Sequence, residues 1–135
     1  MSEPAHVPLP AQPDVTAPDG SDVRVLVRSE RGSMAHFELA PGQTSQAVQH
    51  REVEELWFVI SGAGQMWLGG VAPVVLTLEV GVSLRIPPGT PFQFRSAGPG
   101  PLAAVAVTMP PWPLDREEAV AAEGPWPPSV LRGGA

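Results

Sequence analysis

Short apolar runs, broken by glycine or proline roughly every ten residues, dominate the chain between Val23 and Thr108. Runs of this length are too short for ordinary helices, and their spacing is typical of antiparallel sandwiches and barrels. The predicted strands are Val23–Val27, Ser33–Ala40, Leu56–Ile60, Gln65–Leu68, Val74–Val80, Val82–Ile86, Pro91–Arg95 and Leu102–Thr108. About eight short strands therefore predict an all-β fold, a single antiparallel β-barrel or sandwich. The glycine-containing segment 61–64 predicts a hairpin between two of these strands.

Both ends of the chain are rich in proline and lack the apolar alternation of the middle. Residues 1–20 carry five prolines and predict an extended N-terminal tail. We expect residues 21–109 to form the barrel and residues 110–135 to form a C-terminal strap. The predicted architecture is therefore one barrel with a proline-rich arm at each end.

The C-terminal strap contains one segment that favours a helix, Asp115–Glu123. Asp115 is a suitable N-cap residue, a glutamate follows three positions later, and Gly124 begins a Gly-Pro stop signal. Trp112 and Trp126 each lie between two prolines. They are predicted to bury against the sheet, the alternative being a polyproline-type ligand for another protein.

The size and charge of the chain exclude several classes of function. The 135 residues suffice for one domain with one modest core. The 8 basic and 14 acidic side chains give a net charge of −6, which argues against nucleic acid or an anionic membrane as partner. No apolar stretch approaches the ~18 residues of a membrane span, and the N-terminus does not resemble a secretory signal. A cytoplasmic protein is therefore expected.

Few side chains remain for chemistry near neutral pH. The chain has no cysteine and no tyrosine, and arginine occupies every basic position. Thiol catalysis, cysteine–zinc sites and lysine Schiff bases are therefore excluded. Proton transfer is left to His6, His36 and His50, or to a carboxylate with a raised pKa. Strand alternation places His36 and Phe37 on opposite faces, which leaves open whether His36 points into the barrel.

Two stretches of the chain resemble the two sequence motifs of the cupin family. The first motif has the form G-x5-H-x-H-x(3,4)-E-x6-G, and the chain matches its spacing at Gly42, His50, Glu55 and Gly62. Val48 occupies the first histidine position. This resemblance implies a jelly-roll barrel, which commonly forms a homodimer. Cupins use the histidines and the glutamate of this motif as ligands of a divalent metal.

The second motif has the form G-x5-P-x-G-x2-H-x3-N, and the chain matches it at Gly81, Pro87 and Gly89. Phe92 stands at its histidine position and Ser96 at its asparagine position. Neither valine nor phenylalanine can ligate a metal. The glycine and proline framework therefore implies the cupin fold more strongly than it implies the metal chemistry of the family.

Alternation along the two motif strands predicts which side chains face the barrel interior. The candidate substrate-binding residues are Val48, Trp57, Val59, Phe92, Phe94 and Ser96. Such a cavity suits an apolar or aromatic small molecule. His50 and Glu55 are the catalytic candidates, because burial raises the pKa of a carboxyl group and a coupled pair can transfer protons.

Three functions stay open at this point. In the first, His50 and Glu55 catalyse an acid–base isomerisation, cyclisation or elimination of a small molecule, for example in secondary metabolism. In the second, His50 and Glu55, together with either His36 or waters, hold iron, manganese, zinc, nickel or copper for an oxygenase-type or hydrolytic reaction. In the third, the barrel binds a small molecule without catalysis.

Overall fold

The computed structural model describes residues 3–134, and this part of the chain folds into strands without any helix. No helix within it could therefore cross a membrane. Eleven strands occur in the described residues: β1 (Val15–Thr16), β2 (Asp22–Arg28), β3 (Ser33–Leu39), β4 (Val48–His50), β5 (Glu54–Ser61), β6 (Ala63–Leu68), β7 (Val74–Glu79), β8 (Ser83–Ile86), β9 (Phe92–Ser96), β10 (Leu102–Met109) and β11 (Ala119–Ala121). The all-β prediction is confirmed, and β1, β4 and β11 are additional short strands.

The strands form two antiparallel sheets that enclose one core. The larger sheet has the strand order β1-β2-β3-β10-β5-β8, and the smaller sheet has the order β11-β4-β9-β6-β7. Several neighbours in each sheet are far apart along the chain: β10 pairs with both β3 and β5, and β9 pairs with both β4 and β6. This interleaving of distant strands is the jelly-roll arrangement that the resemblance of the two motifs implied, and it agrees with the antiparallel sandwich or barrel that the spacing of the apolar runs predicted.

Side chains that alternate along the strands fill the space between the sheets. On β5, Trp57 and Val59 are buried at 2% and 0% exposure, whereas Leu56 and Phe58 are 42% and 49% exposed. Phe92 and Phe94 from the smaller sheet belong to the same core cluster as Trp57 and Val59. Because a small barrel has little interior volume, these four side chains fill the space between the two sheets where they lie.

The predicted hairpin across segment 61–64 is wrong. Strand β5 belongs to the larger sheet and β6 to the smaller one, where β6 pairs with β7 and β9. The chain crosses between the sheets at Gly62, which has a φ of 77°. A Cβ atom there would overlap the backbone carbonyl of Pro101. A glycine-containing break between two apolar runs therefore cannot distinguish a turn within a sheet from a crossing between sheets.

The predicted helix over Asp115–Glu123 is also wrong. Ala119–Ala121 pairs with β4 as the edge strand β11. The buried carboxylate of Glu118 accepts the backbone N–H groups of Glu52 at 2.6 Å and Val53 at 2.8 Å. These tertiary hydrogen bonds outweigh a local helix preference, which amounts to only a fraction of a kcal/mol per residue.

Both terminal segments are hydrogen-bonded to the barrel. Strand β1 extends the larger sheet, so the chain joins the barrel before residue 21, where the sequence predicted a tail. The backbone N–H of Gly133 donates to the carbonyl of Ala17 at 2.9 Å. Earlier in the C-terminal segment, the ring of Trp126 makes a cation–π contact with Arg95, whose guanidinium lies 4.0 Å from the centre of the ring. The two terminal segments therefore contact each other at Ala17 and Gly133.

Candidate functional site

A cavity of about 600 Å³ lies between the first three strands and the C-terminal segment. Val23, Val25 and Phe37 from β2 and β3 contribute apolar surface, as do residues 112–114, whereas residues 116–119 contribute mainly charged side chains. Two polar side chains of the first motif, His50 from β4 and Glu55 from β5, also line it. The volume is within the range of small-molecule sites in proteins.

His50 is held by aromatic rings and has few polar neighbours. Its residue is 4% exposed, and its imidazole meets the rings of Phe92 and Trp112 edge to face at centroid distances of 5.3 and 5.0 Å. Within the described part of the chain, Nδ1 of His50 has no hydrogen-bond partner. Burial lowers the pKa of His50 to about 4, and the negative charge of Glu118 opposes this change only in part.

Glu55 is buried beside this imidazole. Its residue is 2% exposed, and Oε1 accepts the indole N–H of Trp57 at 2.6 Å. Burial raises the pKa of Glu55 to about 8; the Trp57 hydrogen bond acts in the opposite direction, and the charge of Asp19 adds to the rise. At neutral pH the carboxyl group of Glu55 is therefore protonated.

The two side chains approach each other without pairing as ions. Nδ1 of His50 lies 3.6 Å from Oε2 of Glu55, which is longer than a hydrogen bond. Because burial penalises both charged forms, the site holds a neutral carboxylic acid and a neutral imidazole at neutral pH. The arrangement therefore contains a proton donor and a proton acceptor in the same cavity wall.

The predicted substrate-binding residues divide into two groups. Val48 lines the cavity together with His50 and Glu55. The remaining residues do not form part of the cavity wall: Trp57, Val59, Phe92, Phe94 and Ser96. Trp57 is stacked on Phe37 with ring centroids 5.7 Å apart and meets Phe94 edge to face at 4.9 Å, so these rings fill the barrel. Ser96 is 5% exposed, and its hydroxyl oxygen has no hydrogen-bond partner among the described residues.

Two side chains that do not line the cavity, Trp57 and Phe92, each contact one of its two polar residues. Trp57 holds one oxygen of Glu55 through its indole N–H, and Phe92 packs against the imidazole of His50. Both contacts restrict the orientation of the polar side chains. Trp57 and Phe92 are therefore positioned to orient the acid–base pair, whereas the prediction had them lining the ligand cavity.

Sequence reasoning did not predict that the segments it treated as arms line the cavity, and two of their residues, Asp19 and Trp112, act on the polar pair. Asp19 is 6% exposed and lines the cavity; Oδ1 accepts the backbone N–H of Ser21 at 2.9 Å and its hydroxyl at 2.6 Å. Burial raises the pKa of Asp19. Trp112 covers His50 from the C-terminal segment. The turn signal Asp19-Gly20-Ser21 directly before β2 was the available clue to the first residue.

His36 does not join this site. Its neighbour Phe37 points into the barrel and stacks on Trp57, so alternation directs His36 to the opposite face of β3. The residue is nevertheless 6% exposed, and burial followed by the charge of Arg24 lowers the pKa of its imidazole. The three-residue metal site of His50, Glu55 and His36 is therefore not assembled.

The remaining residues do not fit the divalent metal that the cupin resemblance implies. Among the described residues, no group of three or more histidine, aspartate or glutamate side chains could hold a metal ion. Val48 and Phe92 occupy two of the ligand positions, and one oxygen of Glu55 already accepts a hydrogen bond from Trp57. Two donors in an apolar wall fall short of the three or four protein ligands of a typical centre.

The fold is a small antiparallel β-barrel, and it carries a cavity lined by an imidazole and a carboxyl group. The chain belongs to the cupin family: a family model described as the cupin domain matches residues 35–108, more than half of the chain. This confirms the identification made from the two motifs. A comparison with curated protein sequences gives no match.

Solved structures extend the likeness over most of the chain. An uncharacterized conserved protein with a double-stranded β-helix domain from Klebsiella pneumoniae is 23% identical, with a TM-score of 0.64 over 77% of this chain and 85% of that one. PAC13 from Streptomyces, a variant solved with uridine, is 16% identical, with a TM-score of 0.67 over 90% and 93%.

CapF, a capsular polysaccharide assembling protein from Staphylococcus aureus, is 16% identical, with a TM-score of 0.72 over 87% of this chain. The chain spans only 35% of the length of CapF. At these identities, the likenesses to all three solved structures concern the fold alone.

Proposed function

We propose that this cupin is a metal-independent enzyme that catalyses an acid–base isomerisation, cyclisation or elimination of a small molecule with an apolar or aromatic body. One observation carries the proposal: Glu55 and His50 line one cavity, 3.6 Å apart, with pKa values of about 8 and about 4. Each residue is therefore in the protonation state that its role requires at neutral pH, Glu55 as the acid and His50 as the base.

The hydrogen bond from Trp57 determines which oxygen of Glu55 carries the proton. Oε1 accepts the indole N–H, so the acidic proton lies on Oε2, the oxygen nearer to His50. The neutral imidazole of His50 has one nitrogen with a free lone pair. Because aromatic rings enclose the imidazole, little water competes for this lone pair.

An elimination illustrates the proton balance. The imidazole of His50 removes a proton from a substrate carbon, and Oε2 of Glu55 gives its proton to the departing hydroxyl group, which leaves as water. The imidazolium and the carboxylate are then neighbours, and transfer of one proton from His50 to Glu55 restores both neutral groups. In an isomerisation the same two transfers occur at different substrate atoms, and no group leaves.

The cavity and the structural relatives support a ring-sized ligand. The volume of about 600 Å³ and the apolar walls suit a molecule with one or two rings. Among proteins of similar fold, a PAC13 variant was solved with uridine, and CapF was solved with the inhibitor 3-isopropenyl-tropolone. These two ligands guide the choice of compounds for the experiment below.

Deuterium exchange tests the proposal before the substrate is known. The protein is incubated in D₂O with a library of hydroxylated cyclic and aromatic compounds, and mass spectrometry records solvent deuterium gained at carbon or water lost. We expect at least one compound to react. The variants Glu55→Gln and His50→Gln should each slow that reaction by about 100-fold or more, because each lacks one proton-transfer group.

Glu54→Gln is the matched control, because Glu54 precedes Glu55 on the same strand and does not line the cavity. This variant should react at the wild-type rate. A reaction that survives in Glu55→Gln or His50→Gln would contradict the proposal. Compounds that the wild type binds tightly but returns without deuterium or product would indicate a binding protein instead.

A further inference from the structure

The cavity wall carries three arginines, and two of them face the carboxylates of Glu117 and Glu118 in the same wall. Three of the eight arginines, Arg28, Arg116 and Arg132, line this one cavity, while the net charge of the chain is −6. The side chains of Arg116 and Arg132 are 44% and 37% exposed, and Arg28 is also exposed. Exposed cations around an apolar cavity attract the anionic group of an approaching ligand.

Arg28 is the least compensated of these three cations. Arg116 donates to the carboxylate of Glu118 at 3.2 Å. Arg132 lies 3.9 Å from the carboxylate of Glu117. Within residues 3–134, Arg28 forms no ion pair with a carboxylate. Its positive charge is therefore the one that a ligand anion can neutralise.

Trp112 connects Arg28 to the acid–base pair. Nη1 of Arg28 donates to the backbone carbonyl of Trp112 at 2.7 Å, and the indole of the same residue packs edge to face on the imidazole of His50. The other N–H groups of Arg28 donate to none of the described residues, and a guanidinium can bind an oxyanion through two N–H groups at once. A ring beside Trp112 and His50 can therefore present an attached oxyanion to Arg28.

We propose that Arg28 is a specificity-determining residue that binds a carboxylate or phosphate group on the ligand of this cavity. The inference rests on the proposed function and narrows its substrate class to apolar or aromatic molecules that carry one oxyanion. The protonated carboxyl group of Glu55 does not repel such a ligand at neutral pH.

Three probes of similar size separate the charge of the ligand from its apolar body: 3-phenylpropanoate, phenyl phosphate and the neutral 3-phenylpropanamide. Calorimetric titration at neutral pH gives the affinities for the full chain. We expect the wild type to bind at least one of the anions about tenfold more tightly than the amide, as one charge-assisted contact provides. Which anion is preferred distinguishes a carboxylate ligand from a phosphate ligand.

Substitutions of Arg28 test whether this residue is the source of the preference. Arg28→Gln should remove the preference, and Arg28→Lys should restore part of it because the charge remains. Arg85→Gln is the control, since Arg85 is exposed on β8 and does not line the cavity. For the wild type, roughly 0.5 M salt should reduce the preference without any mutation, because exposed charges are screened.

Equal affinity of the wild type for charged and neutral probes would overturn the inference, as would no binding of any probe or a preference that persists in Arg28→Gln. Glu55→Gln separates this result from the proposed function. That variant should lose deuterium exchange and keep the preference for anions. If exchange in the wild type is absent while the preference depends on Arg28, the acid–base proposal fails and the oxyanion site stands.

Discussion

Replacing Glu55 by glutamine should stabilise the protein at neutral pH, and the gain should grow as the pH rises. Burial raises the pKa of Glu55 from its ordinary value of 4.5 to about 8, so between these values folding must take up a proton. Glutamine has the shape of the protonated acid and needs no proton. Its Oε1 can still accept the indole N–H of Trp57, so the substitution removes the titration and preserves the contact.

The expected magnitude follows from the two pKa values. The contribution of Glu55 is fully favourable below pH 4.5 and is lost as the pH rises through about 8, a total of roughly 5 kcal/mol. His50 acts in the opposite direction, because its pKa falls from 6.5 to about 4 and its contribution is lost as the pH falls through that range. The window from pH 6.5 to 8 therefore separates Glu55 from His50, and the wild type should lose about 2 kcal/mol across it relative to the variant.

Urea unfolding followed by tryptophan fluorescence measures this difference at several pH values in the window. Wild type, Glu55→Gln and the control Glu54→Gln are compared, and the control should follow the wild type. Titrating groups that do not interact with Glu55 are common to all three proteins and cancel in the comparison, whereas the coupled carboxyl group of Asp19 contributes to the difference together with Glu55. Parallel stability curves for the wild type and Glu55→Gln would show that Glu55 is ionised in the folded protein, and the reasoning from burial would be refuted.

Two further predictions concern the metal and the cavity wall. Plasma mass spectrometry after incubation with iron, manganese, zinc, nickel or copper should find far less than one ion per chain, because His50 and Glu55 are too few ligands; a stoichiometric ion that Glu55→Ala abolishes would contradict this. Glu118→Ala should lower the free energy of unfolding by about 2 kcal/mol, because the buried N–H of Val53 loses its acceptor. Urea unfolding measures this loss, and Glu117→Ala is the control because the side chain of Glu117 is exposed. A Glu118→Ala variant as stable as Glu117→Ala would contradict the assigned hydrogen bonds.

The sequence predicted the fold and the inward direction of His50 and Glu55 because both depend on local patterns. Glycine at the breaks and alternation along the strands determine the barrel, and the spacing of the first motif places His50 and Glu55 on its inner surface. Alternation states only that a side chain points inward. Whether an inward side chain fills the interior or borders a cavity depends on the volumes of its neighbours, so Trp57 and Phe94 could not be assigned from their strands.

The location of the cavity could not be predicted for a related reason. Its wall includes Asp19 and Trp112, which come from proline-rich segments without any periodic pattern. These segments become ordered through contacts with strands far away in sequence, for example the bond from the N–H of Trp112 to the hydroxyl of Ser33 at 2.9 Å. The failure of the helix prediction around Glu118 has the same cause, since its partners are two backbone amides more than sixty residues earlier.

Val48 and Phe92 connect the loss of metal ligands to the proposed chemistry. They stand where the cupin motifs have histidines, and each is 1% exposed. An apolar side chain at these positions removes a metal donor and, at the same time, removes water from the surroundings of His50 and Glu55. Without a cation, a buried carboxyl gains a proton and a buried imidazole loses one. The same two substitutions that leave too few metal ligands thus favour the neutral acid and the neutral base on which the proposed proton transfers depend.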